Sequence, residues 1–103
     1  MESLRTTFAV LLESFEFSSD VEERIRLLRT AVGKLENIFY GTEKEDVYRD
    51  VLRRLKLRLK ELRSQMGSFN LDFEEWRVMM DVLDEMRDEV ERIAVKEGIL
   101  EAQ

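Results

Sequence analysis

Apolar residues recur along this chain at spacings of three and four. Leu4, Phe8, Leu11 and Phe15 fall at i, i+4, i+7 and i+11, which places them on one face of a helix, and Leu12 widens that face. Val21, Ile25, Leu28, Val32, Leu35 and Phe39 repeat the pattern, flanked by Leu27, Ala31 and Ile38. Tyr48, Leu52, Leu55, Leu59, Leu62 and Met66 form a third seam, and Trp76, Met79, Leu83, Met86, Val90 and Ile93 form a fourth, with Phe73, Met80 and Ala94 beside it. Around Leu55, Leu57 and Leu59 the chain also alternates with period two. That stretch lies inside a long run rich in Arg, Lys, Leu and Glu, so helix is predicted there.

The breaks between seams carry stop and start signals. Ser19 and Glu22 read as a capping box, in which hydroxyl and carboxylate satisfy each other's backbone donors; Thr42 with Glu45 and Asp72 with Glu75 follow the same logic. Gly41 and Gly98 suit the left-handed residue that ends a helix, and Leu71 is placed to staple onto Trp76. Helices are therefore predicted at approximately 2–17, 20–40, 43–66 and 73–97. Short breaks make consecutive helices antiparallel neighbours, so the fold expected is all-α, an antiparallel up-down four-helix bundle with a shorter first helix, one domain over 1–103. Gly33 is the one glycine in the interior of a predicted helix, and close packing of a neighbouring helix against it is the expectation.

Composition narrows the chemistry. The 103 residues include no His, Cys or Pro, which excludes a Ser-His-Asp arrangement, thiolate nucleophiles, disulfides and imidazole or thiolate metal sites. No apolar run approaches the roughly 20 residues of a membrane span, so no membrane association is expected. The cysteine-free chain fits a cytoplasmic location, and the excess of Arg and Glu over Asn and Gln suggests a thermophilic source. A net charge of −6 favours solubility and opposes nonspecific nucleic-acid binding by the molecule as a whole.

Charge is nevertheless patterned. Arg49, Arg53, Lys56, Lys60 and Arg63 each follow a seam position of the third helix and form one basic stripe, which could track phosphates, with Tyr48 as a stacking surface. Glu74, Asp81, Asp84, Asp88 and Glu91 form an acidic stripe on the same rotational side of the fourth helix. Flanks of the same sense meet in an antiparallel pair, so the preferred expectation is that the two stripes face each other. Carboxylates at Asp81, Asp84, Glu85 and Asp88 could in principle hold Mg²⁺. A second carboxylate cluster on another helix is not formed, because Arg26 follows Glu22 and Glu23 where a further carboxylate would be needed. No metal and no cofactor are predicted.

Aromatic residues gather at the helix ends. Up-down topology brings Phe15, Phe17, Met66, Phe69, Phe73 and Trp76 to one pole and Phe39, Tyr40 and Tyr48 to the other. Off-seam apolar residues, Leu27, Ile38, Leu57, Val78 and Val82, broaden the faces beyond what one bundle needs, which predicts a homodimer. The function expected is non-enzymatic: a small helical protein-interaction or assembly module, docking another protein through Phe17, Phe69, Phe73, Trp76, Leu57 and Val78. The alternative is a nucleic-acid-binding accessory protein using the basic stripe.

Overall fold

Helix caps set the architecture. The computed structural model describes residues 4–66 and 71–101, with side chains from residue 7 onward. Its helices are α1 (Leu4–Phe17), α2 (Val21–Phe39), α3 (Lys44–Met66) and α4 (Phe73–Lys96), an antiparallel up-down bundle in which α1 is the shortest. No strand occurs among the described residues, and Leu55 to Leu62 is helical.

The first cap lies one residue later than the expected Ser19 box: Asp20 is the N-cap of α2, accepting a hydrogen bond from the Glu23 N–H. At α3 the Thr42 hydroxyl accepts from the Lys44 N–H, while the Glu45 carboxylate reaches back to the Gly41 N–H. Asp72 caps α4 as predicted, accepting from the Glu75 N–H at 2.8 Å. Gly41 and Gly98 take φ of 76° and 75°, the left-handed region that penalises any side chain.

Packing is centred on α2, which contacts α1, α3 and α4. Nine of its side chains are buried against five on the longer α3, so α2 is enclosed on two faces while α3 lies on the bundle by a single narrow seam. This explains off-seam Leu27 and Ala31, which are buried, and Ile38 and Val82, which pack against the core. Those residues are used inside one chain. Of the apolar surplus read from the sequence, only Leu57 and Val78 remain exposed.

Arg24 is the only buried charged residue described, at 8% exposure. Its Nε donates to the Ser18 carbonyl at 2.6 Å, its NH1 donates to Asp84 Oδ1 on α4 at 2.9 Å, and its guanidinium lies 4.3 Å from the centre of the Phe15 ring. One side chain of α2 thus ties down the end of α1, the following loop and α4. Arg87 makes a second link from α4: it donates to Glu91, and Glu16 Oε1 of α1 lies 2.9 Å from its Nε as an ion pair without hydrogen-bond alignment.

At the opposite pole Tyr48 is buried and stacked on Phe39, with centroids 4.7 Å apart and planes at 20°. Its hydroxyl donates to Glu97, which Lys44 also faces at 3.6 Å. Burial and then the bond to Glu97 push the Tyr48 phenol up to about 12. The Tyr48 bond, aided by Lys44, holds Glu97 below the usual carboxylate range.

Two outcomes follow from these contacts. Arg24→Ala removes a charge-assisted hydrogen bond and a cation–π contact and should cost about 2 kcal/mol in urea unfolding. Asp84→Asn, at a half-exposed partner, should cost under about 1 kcal/mol. For Tyr48, the unfolded phenol ionises near 10 while the folded one keeps its proton to about 12. The unfolded state therefore loses its proton first, and stability falls as pH rises through that window. Thermal melts from pH 9 to 12 should show this fall reduced in Tyr48→Phe.

Candidate functional site

The seam of α3 points into the bundle, so the residue after each seam position lies on one flank. In an antiparallel pair that flank meets the same flank of its neighbour, and the neighbour is α2. The residues following the α2 seam are Glu22, Arg26, Arg29, Gly33, Glu36 and Tyr40. All but Glu22 line a groove of about 1260 Å³ whose other wall is Arg49, Arg53, Lys56, Lys60 and Arg63.

The expected pairing of the basic stripe with the acidic stripe of α4 is therefore incorrect. Flanks of like sense do meet, but the hand of the bundle puts the basic flank of α3 against α2, and helical periodicity carries no information on that hand. Lys56 pairs with Glu36 of α2 at 3.3 Å, and Arg49 pairs within its own helix with Asp46 at 2.7 Å. On α4, Asp84 is held by Arg24, Glu74 by Arg77, and Asp88 and Glu91 by Arg87. Contact between α3 and α4 comes instead from the opposite flank, where Arg54 faces Glu89 at 3.7 Å.

Seven cations from two helices thus converge on one groove: Arg26, Arg29, Arg49, Arg53, Lys56, Lys60 and Arg63, all exposed. Among the described residues its only acidic lining residues are Glu36 and Glu45. Arg29, Arg53, Lys60 and Arg63 have no ion-pair partner among the described residues, and Arg26 is paired with Glu23 on its own helix. Because the helices run antiparallel, Arg26 and Arg29 lie toward the end of α3 that carries Lys60 and Arg63. Flanking positions of packed helices usually carry opposite charges; Lys56 and Glu36 follow that rule here, while Arg26 and Arg29 share the groove with Lys60 and Arg63.

Gly33 lies on the groove lining. A Cβ built there would meet nothing within 4 Å, so the expectation of close helix packing is incorrect. Glycine costs an α-helix about 1 kcal/mol relative to alanine, and no contact inside the molecule offsets this. Tyr48, considered above as a stacking surface, is buried against Phe39 and is not available. Tyr40, by contrast, is exposed and lines the groove. Arg26, Arg29, Gly33 and Tyr40 escaped the sequence reading as site residues. Their signal was the same one-residue offset from the seam that marked the stripe on α3.

The docking residues divide among three places. Phe17 and Phe73 are 84% and 71% exposed at one pole, where Trp76 stacks on Phe73 with centroids 6.0 Å apart and donates to the Ser19 carbonyl at 3.1 Å. Phe15 is buried in the core. Leu57 lines the basic groove, and Val78 is exposed on α4. Phe69 lies outside the described residues. Among the described residues no group of three His, Cys, Asp or Glu side chains is placed to hold a metal ion, and no helix is long and apolar enough to cross a membrane.

Fold and groove together define an all-helical bundle with a cationic cleft between two of its helices. An uncharacterized protein of the thermophilic archaeon Archaeoglobus fulgidus is 52% identical over 101 residues, covering 98% of this chain and 99% of that protein. The chain belongs to the same family as this archaeal protein. No protein-family model and no solved structure matches it.

Proposed function

We propose that this chain is a small non-enzymatic binding module that takes a polyanionic partner in the groove between α2 and α3. The observation that carries this reading is the convergence of seven cations from two helices on one open cleft with two carboxylates among them. A purely structural charge pattern would place acids opposite bases, as Lys56 and Glu36 are placed. The cleft instead concentrates positive potential on a molecule of net charge −6. That combination favours a polyanion recognised at this site over indiscriminate attraction to the whole surface. A cytoplasmic location belongs to the proposal, on the strength of a chain that needs no oxidising compartment.

A second reading is favoured by the aromatic pole. Phe17 and Phe73 are exposed at this pole, Phe73 stacked on Trp76, and we infer from them self-association as a homodimer or docking of another protein.

The groove reading is tested by elution from immobilised heparin. Arg53→Glu with Lys60→Glu should elute at clearly lower salt than the native protein. Arg58→Glu with Arg92→Glu makes the same charge change at residues that do not line the groove and should elute later than the groove variant. Equal elution of the two double variants would refute the reading. For the pole, light scattering should give a dimer at micromolar concentration, and Phe17→Ser with Phe73→Ser should shift it to monomer. A native protein that is already monomeric would remove this second reading.

A further inference from the structure

The shape of the groove carries more than its sign. From Arg49 to Arg63 the stripe runs about 21 Å at 1.5 Å per residue, with a cation at every turn. At about 3.4 Å per stacked nucleotide this length matches about six nucleotides. The opposite wall supplies Arg26 and Arg29, so charge flanks the cleft instead of capping one point in it. The rest of the lining is mostly uncharged, with Thr30, Gly33, Leu52, Leu57 and exposed Tyr40, while the Lys56–Glu36 pair joins the two walls at one point.

We propose that the occupant is a single-stranded nucleic acid lying along α3, its phosphates on the cationic walls and its bases over the uncharged lining, with Tyr40 as a stacking surface. This rests on the polyanion reading of the groove and names its ligand class. Cationic walls with an exposed ring are the elements by which proteins hold single strands without reading sequence. A duplex presents its phosphates on a convex rim and keeps its bases stacked inside, with none free for Tyr40. An acidic helix would need a row of apolar anchors spaced along the cleft, and among the described residues Leu57 and Tyr40 are the only exposed large apolar side chains on the lining. Gly33 belongs to the same design. Its missing side chain opens the α2 wall along the cleft, and nothing in the protein fills that space.

Fluorescence anisotropy with labelled oligo-dT and oligo-U of about 12 nucleotides tests this. A DNA hairpin duplex and a polyglutamate peptide of similar charge serve as comparisons. The strands should bind at about 50 mM salt and weaken steeply by about 200 mM, with a log–log slope near −3 for four or five phosphates at about −0.7 each. The duplex and polyglutamate should bind at least about tenfold more weakly. Gly33→Leu fills the cleft without touching charge and should reduce strand binding about tenfold while the melting temperature holds or rises. Tyr40→Ala should reduce it about fivefold or more. Duplex binding as tight as strand binding, or binding of polyglutamate alone, would overturn this inference and leave the groove as a polyanion site. Failure of every polyanion, heparin included, would overturn both. A preference between oligo-dT and oligo-U would decide whether the strand is DNA or RNA.

Discussion

Arg24 fixes the relation of α2 to two of its three partners. By holding the Ser18 carbonyl, the face of Phe15 and Asp84 at once, it commits one side of α2 to α1 and α4. Arg26 follows two residues later, about 200° around the helix, and therefore points away from that junction. Once Arg24 is buried, the flank bearing Arg26, Arg29, Gly33, Glu36 and Tyr40 is left for α3. The groove is thus a consequence of a tie made on the other side of the helix.

Most of the fold was legible because the seams are long and their ends are marked. The helix bounds at Phe17, Met66 and Phe73 agree with the periodicity, and Asp72, Gly41 and Gly98 act as their residue types require. What could not be read was handedness. A basic flank on α3 fits α2 or α4 equally well in a linear pattern, and the choice rests on tertiary packing around Arg24. The same limit misplaced Gly33, whose meaning depends on whether its flank faces a packed helix or a cleft. Leu27 and Val82 looked surplus only because α2 was not known to be enclosed on two faces.

The location of the candidate site was half visible. Five cations on α3 stand out in the sequence because they recur with the seam, whereas Arg26 and Arg29 look like ordinary solvated charges until α2 is set beside α3. Tyr48 and Tyr40 exchange roles for a related reason. A seam tyrosine is drawn into the core, where its hydroxyl finds Glu97, while the tyrosine one position after a seam residue stays outside. Burial follows the seam, and the lining of the groove follows the residue after it.

The like-charged walls have a further physical consequence. Where Arg26 and Arg29 share a cleft with Lys60 and Arg63, the contact between α2 and α3 is folded against its own electrostatic pressure. Any anion that settles there relieves that pressure, so occupancy of the cleft and cohesion of the helix pair draw on one free energy. On the proposed reading, a bound polyanion makes the helix pair harder to open and slower to be cut by proteases. On the proposed reading, the level of such a protein in a cell would rise with the supply of the polyanion that holds it.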